Sequence, residues 1–270
     1  MNSTNEKNDP IGIFDSGIGG VTVLTEILKL LPNEKYLFYS DSKNNPYGSK
    51  TQEKIIEMSD YIVDKFVKRN AKAVVIACNT ASANASGFLR KKYNIPIIAI
   101  EPAYKMVNDF ARDNVTLVMA TKGTIESEKF EMLYKKYDNK KTYLLECEGL
   151  ANAIERNNDK DIEKILEKEL APYVGKARNV VLGCTHYPLA QKKIEKILCN
   201  NGVDHVEFFN GAEGVARNLK KILEERDLVS NNTDRKIDNI EFYDSSNSEE
   251  KARRFYEIIR ASINKKLRKE

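Results

Sequence analysis

Cysteine and histidine are scarce in this chain, with four and two copies among 270 residues. No two of Cys78, Cys147, Cys184 and Cys199 form a Cys-x-x-Cys pair, and four thiols would make a sparse disulfide framework at this length. A reducing compartment is therefore expected. His186 and His205 add too few ligands for a tetrahedral centre, which removes metal from the reading of Cys184-Thr185-His186. Long apolar runs are lacking too. None approaches the roughly 20 residues of a membrane span, and polar Met1–Pro10 has no apolar core of the kind a signal peptide carries. A soluble, cytoplasmic protein without membrane contact is the expectation. Charge of one sign is also in short supply: 44 basic against 40 acidic residues leave +4. No basic stripe interleaves with aromatics, so a nucleic-acid partner is not expected, and Lys265-Lys266-Leu267-Arg268-Lys269 reads as a solvated helix end.

What is present is a globular composition, 41% hydrophobic and 31% charged, with short apolar runs alternating with amphipathic stretches. Strands are expected over Ile11–Phe14, Tyr36–Tyr39, Ala73–Ala77, Ile97–Ile100, Thr116–Met119, Lys141–Leu145, Asn179–Leu182, His205–Phe209 and Ile240–Tyr243. Helical spacing marks Thr22–Leu31, Gln52–Lys68, Ala190–Cys199 and a segment from Ser248. The alternation predicts an α/β chain with doubly wound parallel sheets. The plan repeats: Cys78 follows Asp15 by 63 residues, and Cys184 follows Thr121 by 63. Each copy runs strand, Gly-containing turn, further α/β units, strand, cysteine, helix. Two domains related by a pseudo-two-fold are expected, with the active site between them. Residues 1–100 plus 210–270 would form the first, carrying Cys78, and 101–209 the second, carrying Cys184. Glu101-Pro102 and Asn210-Gly211 mark the crossings.

The residues able to do chemistry fall at strand ends, where open α/β sheets place ligands. A thiol at the start of a helix sees the positive end of its dipole, so Cys78 is expected to favour thiolate, with Asn79 and Thr80 adding polar groups at the first turn. Cys184 is read in the same setting, with His186 available to tune it. Asp15-Ser16-Gly17-Ile18-Gly19-Gly20 lacks both the GxGxxG spacing and a Walker lysine, which excludes the dinucleotide and P-loop readings. Its glycines and N–H groups are expected to receive an anion instead. Asn45-Pro46-Tyr47-Gly48 is read as a substrate clamp on the same rim. Cys199 and His205 read as structural, and Cys147 has no evident role.

Two thiols in matching settings suit racemisation of an amino acid. A proton must leave one face of Cα and another must reach the opposite face, which two acid–base groups from two lobes do more easily than one. Phe14-Asp15-Ser16-Gly17-Ile18-Gly19-Gly20, Pro46-Tyr47-Gly48, Ala77-Cys78-Asn79-Thr80-Ala81-Ser82-Ala83, Ala120-Thr121-Lys122-Gly123-Thr124 and Gly183-Cys184-Thr185-His186-Tyr187-Pro188-Leu189 together resemble the glutamate racemases. These belong to the cofactor-independent aspartate/glutamate racemase superfamily. The resemblance implies interconversion of L- and D-glutamate for peptidoglycan, without cofactor or metal, in a protein that commonly forms homodimers. It implies that Cys78 acts on the Cα proton of D-glutamate and Cys184 on that of L-glutamate, assisted by Asp15 and His186. Substrate contacts would come from Asp15, Ser16, Tyr47, Gly48, Asn79, Thr80, Thr185 and His186. Glu155 aligns with a family glutamate near the site. Cys147-Glu148-Gly149 stands where the family usually has Cys-Pro-Gly.

Three other readings stay open. A related racemase would act on aspartate or another amino acid, although such enzymes usually carry Glu where this chain has His186. A Cys–His hydrolase would use Cys184 as nucleophile and leave Cys78 without a task. A dicarboxylate-binding module would need neither thiol.

Overall fold

The computed structural model describes residues 6–110, 114–137, 140–199, 203–232 and 239–267. Among them are the nine expected strands, each within two residues of its expected ends: β1 (Ile11–Asp15), β2 (Tyr36–Ser40), β3 (Ala73–Ile76), β4 (Ile97–Ala99), β5 (Thr116–Ala120), β6 (Thr142–Glu146), β7 (Asn179–Gly183), β8 (Glu207–Phe209) and β9 (Ile240–Asp244). They form two parallel sheets, ordered β4-β3-β1-β2-β9 and β6-β5-β7-β8. The chain is mixed α/β, as its alternating pattern implied. Polar Ser230–Asp238 reads from its sequence as a surface loop; it and the basic run at 265–269 fall partly outside the described residues.

Parallel strands buried on both faces need apolar side chains on both faces. In the first sheet Ile11, Ile13, Ala73 and Val75 face a core shared with the helices Val21–Leu30 and Ala212–Glu225. Phe14, Val74 and Ile76 face the other core, under the helices Gln52–Lys68 and Asn79–Lys92. In the second sheet Leu117, Met119, Val180 and Leu182 point to one side, and Val118 and Val181 to the other. Helices on both faces make each sheet doubly wound.

The two sheets share one strand order. Read from the fourth strand of each copy, the first runs β4-β3-β1-β2 and the second β8-β7-β5-β6. In each, the chain steps from its first strand to its second, then returns across the first to its third. That reversal opens a crevice at the carboxyl ends of β1 and β3, and another at those of β5 and β7. Among the described residues only the first sheet carries an added strand, β9, which pairs with β2 and leads into the C-terminal helix Glu249–Leu267.

The segments that join the two sheets touch. A Cβ on Gly211 would collide with the Glu101 carbonyl oxygen, so the outgoing and returning segments pack with no room for a side chain. Gly211→Ala is expected to destabilise the protein by about 1–3 kcal/mol, the usual cost of overpacking. A lowered urea midpoint would show it, and an unchanged midpoint would contradict the close packing of the crossings.

Candidate active site

The crevices of both sheets open onto one small pocket. Ser16, Tyr47, Gly48, Cys78, Asn79 and Thr80 line it from loops of the first sheet. Cys184, Thr185 and His186 line it from the loop after β7. The structure therefore brings together nine of the ten residues singled out in the sequence. Asp15 is the exception, fully buried behind the wall. Asn45 and Pro46 of the expected clamp also line it, and Thr121 and Ala151, not named as site residues, complete the lining. Thr121 had a signal, since the 63-residue spacing already made it the counterpart of Asp15.

Cys78 caps the helix Asn79–Lys92, with its sulfur 3.6 Å from Ser16 Oγ. The expected dipole effect does not govern it. Burial, and then the negative charge of Asp15, push the Cys78 thiol well above its ordinary value, which holds the proton on sulfur. Both amide atoms of Asn79 are buried without a partner, which is costly unless something fills the site. The Thr80 hydroxyl meets Thr121 Oγ1 at 2.9 Å and Thr124 Oγ1 at 3.3 Å, joining loops of the two sheets. The Tyr47 hydroxyl donates to Asp41 Oδ2 at 2.6 Å, and Asn44 also donates to that carboxylate. Burial and the neighbouring Asp41 raise the Tyr47 phenol, so it keeps its proton for that bond.

Cys184 differs from the expectation. No α-helix starts behind it: the chain turns through a 3₁₀ segment, Tyr187–Ala190, and the helix Gln191–Leu198 begins only afterwards. Pro188 sits in the first turn of that segment, a position that proline tolerates. What stands beside the sulfur is an imidazole, with His186 Nδ1 3.8 Å from Cys184 Sγ. His186 Nε2 meets Glu155 Oε2 at 2.8 Å. Burial alone would lower the His186 pKa, but hydrogen bonds and charge from Cys184 and Glu155 carry it well above its ordinary value. The imidazolium then has a donor for each of its two neighbours. Burial would likewise raise Glu155. The His186 contact, the Ile18 N–H and Lys251 outweigh it and bring its carboxyl down to about 2. Glu155 closes the helix Leu150–Glu155, which Gly149 introduces from a left-handed conformation at φ 77°.

The glycine turn serves this pair. The Ile18 N–H donates to Glu155 Oε2 at 2.8 Å, and the Gly20 N–H to Asp15 Oδ2 at 2.6 Å. The anions expected at these N–H groups are thus the protein's own carboxylates. Side chains on Gly17 or Gly19 would run into Glu155 and His186. Asp15 Oδ2 also accepts from Thr185 Oγ1 at 3.2 Å, tying the first strand to the Cys184 loop, and burial raises the Asp15 carboxyl. Elsewhere, Cys147 is buried in the second sheet's core and Cys199 is half-buried against it. His205 is exposed and pairs with Glu195.

The Asp/Glu/Hydantoin racemase family model matches residues 11–215. A glutamate racemase of Clostridium perfringens is 41% identical over 244 residues, spanning 88% of this chain and 92% of that protein. Among solved structures, a Francisella tularensis glutamate racemase in complex with D-glutamate superposes with a TM-score of 0.76 at 28% identity, covering 94% of each chain. An Escherichia coli glutamate racemase in complex with L-glutamate and the activator UDP-MurNAc-ala gives a TM-score of 0.76 at 26% identity, over 94% of this chain and 95% of that one.

The Glu155–His186 contact sets a pH window for stability. With Glu155 moved from an ordinary 4.5 to about 2, its contribution is whole above pH 4.5 and lost as pH falls through 2. At about 1.4 kcal/mol per pKa unit, that is about 3 kcal/mol. The raised His186 value sets the alkaline limit: its share is whole below 6.5 and fades as pH climbs through the higher folded value. Glu155→Gln is expected to flatten the fall in urea midpoint between pH 4.5 and 2. An acid limb as steep as that of the unmodified protein would remove Glu155 from this role.

Proposed function

Because the chain belongs to the Asp/Glu/Hydantoin racemase family, we propose that it interconverts L- and D-glutamate by proton transfer between Cα and two cysteines. The observation that carries this reading is the meeting of Cys78 and Cys184, from equivalent strand ends of two like sheets, in one cavity. In the L-to-D direction the Cys184 thiolate takes the Cα proton and becomes a thiol. The electron pair stays on Cα and its carboxylate. The Cys78 thiol then gives a proton to the opposite face and becomes a thiolate. One proton leaves, one arrives, and the reverse direction exchanges the roles.

The surroundings support this division. Burial and Asp15 keep Cys78 protonated, as a donor requires. An imidazolium at His186 offers Cys184 a hydrogen bond for a sulfur anion. The unpartnered Asn79 amide supplies donors for a carboxylate, and Ser16, Tyr47, Gly48, Thr80 and Thr185 line the rest of the pocket. Ser16, Asn79, Thr80, Thr185 and His186 are buried, and fixed donors are worth more away from water. The D- and L-glutamate in the two related structures support the choice of substrate. The same reading assigns residues 1–100 with 210–270 to a first lobe and 101–209 to a second, supported by sheet membership and the Glu101–Gly211 contact. Supply of D-glutamate for peptidoglycan, a cytoplasmic location and a homodimer extend the reading on family resemblance. Among the described residues no helix is long and apolar enough to cross a membrane.

In deuterated water, without added cofactor, the protein is expected to place deuterium at Cα of glutamate while interconverting its enantiomers. Cys78→Ala and Cys184→Ala are each expected to lower racemisation by about 10²–10⁴-fold or more, the scale of a lost acid–base group. Full activity after either change sinks the two-base reading. Glutamate binding with no turnover in the unmodified protein would favour the binding module.

A further inference from the structure

We propose that Lys251 and Arg254, on the C-terminal helix Glu249–Leu267, are positioning residues that hold Glu155 against His186 and thereby govern proton transfer at Cys184. This inference rests on the racemase reading above.

Glu155 is contacted at both carboxylate oxygens and at its backbone carbonyl, Oε1 by an ion pair without a hydrogen bond. Its Oε2 already takes two donors, the Ile18 N–H and His186 Nε2, each at 2.8 Å. Its Oε1 faces Lys251 Nζ at 3.2 Å. Its backbone carbonyl, left open at the end of a helix, accepts from Arg254 Nη1 at 2.8 Å. Lys251 and Arg254 stand three residues apart, so one face of the helix presents both. A carboxylate that shares one oxygen between two donors can swing toward either. A cation on the other oxygen and a guanidinium on the carbonyl remove that freedom. The negative partner of His186 then stays in place, and Nδ1 stays aimed at Cys184.

The helix that supplies these cations is itself fixed. Phe255 and Ile259 are fully buried in the first core. The Phe255 ring lies 4.7 Å from that of Phe38 and 4.3 Å from that of Phe242. Asp244, at the end of β9, accepts from the N–H groups of Ser246 and Ser248 and so shapes the turn into the helix. Among the described residues the unit of β9 and its helix has no counterpart in the second sheet. Its two cations reach the neighbourhood of Cys184, while Cys78 has Asp15 and Ser16 as neighbours.

The two enantiomers have equal free energy, so any variant lowers kcat/KM equally in both directions. Isotope effects separate the two thiols. Lys251→Met in the full-length protein is expected to slow racemisation about 10–100-fold, the usual scale for loss of a supporting partner. The primary deuterium effect should grow with L-glutamate deuterated at Cα, whose label moves to Cys184. With deuterated D-glutamate, whose label moves to Cys78, it should shrink or hold. Lys251→Arg should restore both rate and isotope pattern. Arg254→Lys, which keeps the charge but shifts the donor, supplies the same comparison if Lys251→Met does not fold by circular dichroism. Isotope effects that rise equally for both enantiomers, or do not change, overturn the assignment. Absence of racemisation in the unmodified protein would overturn the racemase reading instead.

Discussion

The buried contact between Glu155 and His186 is the constraint around which the site is built. Two ionised side chains out of water are costly, and the cost is offset only where further donors satisfy the carboxylate. That requirement reaches far along the chain. The turn after β1 supplies an N–H, and two of its positions have no room for side chains. The C-terminal helix supplies a lysine and an arginine. The helix after Gly149 supplies the carboxylate, and the loop after β7 the imidazole. Removing any one of these parts leaves a charge buried with too few partners.

A second theme is likeness with difference. Two sheets of one strand order bring a thiol each to the same cavity. The thiols then stand in unlike company. One caps a helix beside a buried aspartate, and its proton is held. The other precedes a 3₁₀ turn and lies beside an imidazole. A reversible proton transfer at one carbon needs similar groups, but at any instant it needs them in opposite protonation states. Like backbones with unlike neighbours meet both needs.

The strands were readable in the sequence because parallel strands covered on both faces are nearly continuous apolar runs, as in Ala73-Val74-Val75-Ile76. The site motifs were readable because switch-point residues sit directly after those runs. Three things were hidden. The helix expected over Ala190–Cys199 is present, but a 3₁₀ turn separates it from Cys184, so this thiol does not cap a helix as Cys78 does. The thiolate expected at Cys78 is overridden by burial, a property of the assembled fold that no local pattern carries. The clasp on Glu155 joins residues from three distant parts of the chain, and an isolated glutamate at a helix end gives no sign of its partners.

The touching segments at Glu101 and Gly211 bear on how such a molecule could arise. Every strand of the second sheet lies between them, so about half the sheet structure leaves and rejoins the rest of the chain at one place. That is the seam expected where one copy of an ancestral segment has been spliced into a loop of another. A chain built this way gains a second reactive wall by duplication without disturbing the first, since both joins fall at one place.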